Sequence, residues 1–131
     1  MADFFYLLAR VALPVVFIID GIGIFMNATG IAKTLAAKGF PQPAAFGYAV
    51  AALEVVGGVL IVVGFKARWA AIALLLFTAG TIVLAHNFWD MEGVARAANQ
   101  TQAFKNLSIM AGLLLIAAMG AGRYSIDGRD A

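Results

Sequence analysis

The chain has 131 residues, 63% of them hydrophobic and only 12% charged, with a formal net charge of +2. Soluble domains run at about 45–50% apolar and about 25% charged residues, and a small domain needs polar groups to cover its large surface. A mean hydropathy of +0.94 therefore excludes the ordinary soluble enzyme, the disordered chain and the nucleic-acid binder, and the nine Lys and Arg are scattered singly.

A helix that crosses about 30 Å of hydrocarbon needs about 20 apolar residues, because it rises about 1.5 Å per residue. The first such run covers 4–26 and is interrupted by Arg10 and Asp20. Asn27, Ala28, Thr29 and Gly30 supply the turn chemistry that ends it. Ile31, Leu35 and Ala36 alternate with Lys33 and Lys38, which predicts a short interfacial amphipathic helix over 31–38, with a plain loop as the alternative. Gly39, Phe40, Pro41, Gln42 and Pro43 break that segment and open a second span, 44–65, interrupted by Glu54. A tight hairpin over 64–68 leads to a third span, 69–88. The stretch 89–102 is the longest polar segment and is expected to link to a fourth span, 106–121. The polar tail, 122–131, is expected to fray.

These runs are continuously apolar and lack the alternation of a barrel strand. The fold expected is all-α: an integral membrane four-helix bundle in one domain, with a short interfacial helix between the first two spans. The first residues carry no basic region and the apolar run continues past a cleavage site, so no removable signal peptide is expected. Two glycosylation-type triplets, at Asn27 and Asn106, fall at a membrane edge and at a span, and are read as chance. With four spans the termini and the 64–68 hairpin share a face holding Lys66, Arg68, Arg123, Arg129 and a snorkelling Arg10. The opposite face holds Lys33, Lys38, Arg96 and Lys105. Five basic residues against four, with two beside a short hairpin, place the termini in the cytoplasm. The second and fourth spans echo each other around Gly58 to Arg68 and Gly112 to Arg123. Two apolar helices with basic exits would look the same without being a repeat.

The chemistry available is narrow. The chain has no cysteine, which excludes disulfides, thiolate metal sites, iron–sulfur clusters and thiol nucleophiles, and its single histidine excludes a bis-histidine haem. Ionisable residues inside spans are the informative ones, each costing about 2.5–3.5 kcal/mol at mid-helix on insertion scales. Arg10 lies roughly 10 Å and Glu54 roughly 17 Å above the cytoplasmic edge, from the helix rise. An arginine can bridge that gap, so Arg10 and Glu54 are expected to form a structural ion pair between the first two spans. Asp20, His86, Lys105 and Asn106, with Asn27 and Asn87, fall at the opposite end and form a second, outer polar cluster. An apolar cleft with a few convergent polar groups is the default small-molecule site. The plainer alternatives are that His86 caps a helix end and Lys105 snorkels. Trp69, Trp89 and Tyr124 read as interfacial anchors, and Gly57 and Gly58 as close-packing positions.

Several stretches resemble the DoxX family in order and spacing over nearly the whole chain. They are Gly39 to Pro43; Leu53, Glu54, Gly57 and Gly58; Gly64 with Arg68; His86 to Trp89; Phe104 to Leu107; and Gly120 to Asp127. The resemblance implies a four-helix bacterial inner-membrane protein. It is associated with a DoxX-like membrane subunit of a thiosulfate:quinone oxidoreductase and with membrane redox and oxidative-stress assemblies. The polar residues it carries over are Arg10, Glu54, His86, Lys105 and Asn106. One departure stands out: family members usually have a lysine shortly after the glycine pair of the first helix, whereas here Gly21 and Gly23 are followed by Ile24 and Phe25. Asp20 also stands where a small residue is usual. The local charge turns from basic to acidic, which counts against an anionic substrate and suits a neutral quinone headgroup.

The reading that follows is a quinone-interacting subunit of a membrane redox assembly, with Asp20, Glu54, His86, Lys105 and Asn106 at the quinone. Electrons would come from a partner protein or flavin. The alternative is a non-catalytic accessory subunit of a larger membrane complex. A small transporter ranks last, because four helices are few without oligomerisation.

Overall fold

The computed structural model describes residues 1–128 and contains only helices and turns among them. The first span is two helices, α1 (Ala2–Ala12) and α2 (Val15–Met26), where a single helix over 4–26 was expected. The break falls at Pro14, which has no N–H to donate and whose ring crowds the carbonyl four residues back. Its side chain is fully buried at the kink.

The segment after α2 is a helix and not a loop: α3, Ala28–Ala37. Its apolar side rests on the next helix, where Gly47 lies beneath Ile31 and Leu35. Lys38 Nζ at its end donates to the Leu84 carbonyl at 3.2 Å. The second and third spans are α4 (Pro43–Val63) and α5 (Ala67–Leu84). A short 3-10 turn, Phe88–Asp90, leads into α6, Gly93–Met119. This corrects the expected polar linker: most of 89–102 is helix. Hydropathy marks only the lipid-facing part of a helix, whereas Val94 to Ala98 are mostly good helix formers that need no lipid. The Phe88 ring anchors this turn against Phe104, with ring centroids 6.1 Å apart, and Arg96 sits 5.7 Å from the Phe88 centroid.

Four helical segments are long and apolar enough to cross a membrane: Ala2–Met26, Pro43–Val63, Ala67–Asp90 and Gly93–Met119. They pack through glycines, as helices in lipid do where backbones must approach. A Cβ on Gly58 would stand 2.7 Å from Ile18 Cγ1, and one on Gly57 would stand 3.1 Å from Leu74 Cγ. Gly58 thus seats α2 on one side of α4, and Gly57 seats α5 on the other. The core holds Phe17, Ile61, Leu74, Leu113 and Ile116.

Residues 122–128 do not fray. After α6 the chain returns under the bundle and pairs with the α4–α5 hairpin, where Ile126 N donates to Val63 O at 3.2 Å and Asp127 N to Gly64 O at 2.9 Å. Asp127 Oδ2 then accepts from Ala67 N at 3.2 Å, capping the first turn of α5 from a distant part of the chain. A polar segment at a membrane edge is held by backbone groups that the hairpin leaves open, which composition does not reveal. Arg129 lies outside the described residues.

Candidate functional site

The polar groups form two separate clusters, one on the side of the bundle that carries the N-terminus and tail, the other in the opposite half. Arg10 organises the first. It is 2% exposed, and its Nη1 donates to the Ile61 carbonyl at 3.0 Å. Nη2 donates to the Tyr124 carbonyl in the tail, and the guanidinium lies directly against Gly64. Gly64, at φ +70, has no Cβ to displace it. Tyr6 donates from its hydroxyl to the Gly120 carbonyl. Arg68 Nη1 caps the end of α6, donating to Ala117 O at 2.8 Å and Ala118 O at 2.6 Å. A cation at the carbonyl end of a helix also meets the negative end of its dipole. Every one of these bonds joins a span to a helix end or to the tail, which is the work of a clasp.

The expected Arg10–Glu54 ion pair is not formed. The register of α2 on α4 is the reason. Pro14 O lies near Gly58, and Gly21 lies against Ala51, Val55 and the Cβ of Glu54. Glu54 is therefore level with Asp20 and Gly21, not with Arg10. Arg10 is level with Ile61, seven residues and about 10 Å further along α4. Arg10 Nε and Glu54 Oε2 are both buried without a hydrogen-bond partner.

Glu54 is the centre of the second cluster. It is 5% exposed. Its position on α4 lies between the face that meets α2 (Gly58) and the face that meets α5 (Gly57), so it points into the bundle. Asp20, exposed on α2, stands next to Gly21, which packs against the Cβ of Glu54. Across the bundle Asn106 Nδ2 donates to Thr81 Oγ1 at 3.0 Å, and Thr81 Oγ1 donates to the Thr78 carbonyl at 2.7 Å. Buried Thr78 in turn donates to the Leu74 carbonyl at 2.7 Å. The Asn106 bond stitches α6 to α5 in the half of the bundle that holds Glu54, while the two threonine bonds lie within α5.

The five residues expected at one site do not all converge. Asp20 and Glu54 lie at one level, since Gly21 next to Asp20 packs against the Cβ of Glu54. Asn106 belongs to the α5–α6 stitch. His86 is turned away: its Nδ1 lies 3.0 Å from Asn99 Oδ1 on the outer turns of α6. Lys105 is exposed on α6, twelve residues inside that helix and not at its start. Tyr6, read as an interfacial anchor, is a donor in the clasp, and the residues the sequence reading passed over are Thr78, Thr81, Asn99 and Asp127. Asp127 had a signal, because it ends a stretch that carried the family resemblance. The threonines had none.

No group of His, Asp and Glu among the described residues could hold a metal ion. Four membrane-length helices enclosing a buried carboxyl and an arginine clasp define a polytopic helical membrane protein. The chain belongs to the DoxX family, whose model matches residues 5–87. It is 37% identical to the inner membrane protein YphA of Escherichia coli (strain K12) over 94% of this chain and 88% of that protein. It is 36% identical to the inner membrane protein YqjF of the same strain over 97% of this chain and 92% of that one. The uncharacterized membrane protein Rv3486 of Mycobacterium tuberculosis is 29% identical over 92% of this chain and 77% of its own length. No solved structure matches the chain.

Proposed function

We propose that this chain is a quinone-interacting subunit of a membrane redox assembly, with Glu54 as the group that meets the quinone. The observation that carries this reading is the unpartnered, buried Oε2 of Glu54 in the middle of a membrane-spanning helix. A buried polar atom without a partner is destabilising, by about 1–3 kcal/mol in mutational data, and such atoms collect at functional sites. A carboxylic acid there can donate to a quinone carbonyl, and Asp20 beside it offers a second carboxyl for proton exchange. The site is bounded by apolar helix faces, as a headgroup on an isoprenoid tail requires. His86, committed to Asn99, stands outside it. The chain's own residues bind the headgroup and move protons; the two electrons come from a partner protein or flavin.

YphA and YqjF are named as inner membrane proteins. The same location is proposed here, with both termini in the cytoplasm as the basic residues of the hairpin favour. A second reading, the non-catalytic accessory subunit, draws on α6. Its 27 residues make a helix about 40 Å long, more than the hydrocarbon thickness, and Val94 at its projecting end is 87% exposed. That end is a place for another protein to dock.

The test is retention of ubiquinone or menaquinone by the protein purified into lipid nanodiscs. Glu54→Leu lowers retention at least about tenfold, equivalent to 1.4 kcal/mol of binding, while His86→Ala leaves it unchanged. Wild-type protein that retains no more quinone than an empty nanodisc would overturn the redox reading in favour of the accessory one.

A further inference from the structure

Gly64, Phe65 and Lys66 turn the chain between α4 and α5, at the edge of two membrane spans. Lys66 stands in the left-handed backbone region, at φ +47, which disfavours any residue with a Cβ. Its ammonium lies 5.9 Å from the Phe65 ring centroid and has no hydrogen-bond or ion-pair partner among the described residues. A second cation, Arg68, follows in the first turn of α5. Its Nη1 is fixed by the Ala117 and Ala118 carbonyls, at 2.8 Å and 2.6 Å.

Lys66 and Arg68 line one cavity of about 260 Å³, together with Trp69 and Asp127. That volume is several times the roughly 30 Å³ of one water, enough for a phosphodiester carrying a short polyol. Trp69 is 72% exposed. An exposed indole at the end of a span marks the headgroup level, with its ring toward the acyl chains and its N–H toward the polar layer. Asp127 is half-buried and gives one carboxylate oxygen, Oδ2, to Ala67 N at 3.2 Å. Its Oδ1 remains as an acceptor. The hairpin, the end of α6 and the tail thus hold the walls in place before any ligand arrives, which lowers the ordering cost of binding.

We infer that this cavity binds the headgroup of an anionic phospholipid, with the phosphodiester against Lys66 and Arg68 and a headgroup hydroxyl donating to Asp127. A basic cavity level with the headgroups combines attraction for the phosphate with apolar contact for the chains. Phosphate oxygens only accept, and the ammonium, guanidinium and indole N–H only donate, so the two sets match. Asp127 selects among anions. A phosphomonoester brings a second negative charge up to its carboxylate, whereas a phosphoglycerol brings hydroxyls that donate to it. The bound lipid joins hairpin to tail, the two segments that Asp127 already links, and so stabilises the clasp. The cavity lies in the opposite half of the bundle from Glu54 and fills without a quinone.

The test places the full chain in nanodiscs of mixed phosphatidylcholine, phosphatidylethanolamine, phosphatidylglycerol and phosphatidate. The protein is then extracted in mild detergent, and the lipid that stays with it is counted by mass spectrometry. Phosphatidylglycerol is expected at least about fivefold above its share of the bilayer, the effect of one well-placed cation. Lys66→Gln brings it down to that share, and Lys66→Arg retains it. Lys33→Gln removes an exposed cation from α3 and leaves the enrichment intact, which separates a site from general attraction. Equal losses in Lys66→Gln and Lys33→Gln would overturn the site. Asp127→Asn keeps an oxygen for Ala67 N and admits phosphatidate at the level of phosphatidylglycerol. Wild-type protein that holds phosphatidate or phosphatidylethanolamine as strongly as phosphatidylglycerol would overturn the assignment without recourse to any variant. Excess glycerol phosphate is expected not to displace the lipid. Displacement would give the cavity to a soluble anion and reject the lipid.

Discussion

Arg10 donates to the Ile61 carbonyl at 3.0 Å, and so binds the middle of the first span to the last turn of α4. Its other arm holds the Tyr124 carbonyl, so one side chain ties three chain segments that are far apart in sequence. Hydrogen bonds to a charged donor contribute about 1.5–3 kcal/mol each. Arg10→Ala is expected to lower unfolding stability in detergent by about 3 kcal/mol, since two carbonyls lose their donor. Arg10→Lys retains the charge but not the fork, and falls between. The midpoint of a denaturing-detergent titration reads both.

Asp127 makes a prediction about a residue that hydropathy would dismiss. Its carboxylate caps α5 at Ala67 N, and a lost cap costs about 1 kcal/mol. Asp127→Ala is expected to lower the same midpoint by that amount, while removal of 121–128 costs more because Arg10 and Gly64 lose their partners too. Faster proteolysis of the α4–α5 hairpin in membranes is the second readout.

The glycines of α2 separate cleanly. A Cβ on Gly21 would stand 2.9 Å from the Ala51 carbonyl oxygen and 2.7 Å from Val55 Cγ2, whereas one on Gly23 would meet nothing within 4 Å. Gly21→Ala is expected to cost about 1–3 kcal/mol through overpacking. Gly23→Ala is expected to be neutral or slightly stabilising, because alanine favours a helix over glycine by about 1 kcal/mol. Equal effects in a thermal-melt comparison would show that α2 does not seat on α4 through Gly21.

The role proposed for Glu54 sets stability against quinone binding. Its buried carboxyl lacks a partner, so replacing it with an apolar side chain removes a desolvation penalty of about 1–3 kcal/mol. Glu54→Leu is therefore expected to raise the unfolding midpoint while lowering quinone retention at least about tenfold. A variant both less stable and fully retentive would assign Glu54 to the scaffold.

The spans themselves were plain in the sequence, because a run of about 20 apolar residues has one stable form in lipid. Glu54 stood out for the same reason, as did Arg10 and Asp20. What composition could not supply was partnership. Arg10 and Glu54 seemed matched by depth alone, yet depth fixes only one coordinate of two. The register of α2 on α4, set where Gly21 and Gly58 let the backbones close, moved Glu54 opposite Asp20 and left Arg10 to the carbonyls of Ile61 and Tyr124.

The same division runs through the rest of the molecule. Local chemistry in the chain determined which segments enter the bilayer, since hydrophobic transfer is a property of each segment by itself. Tertiary structure decided that 93–105 extends α6, that the tail folds back to cap α5, and that His86 turns to Asn99. Those outcomes depend on backbone groups and helix faces brought together from distant parts of the chain, and directional contacts of that kind leave no periodic trace in the residues that make them.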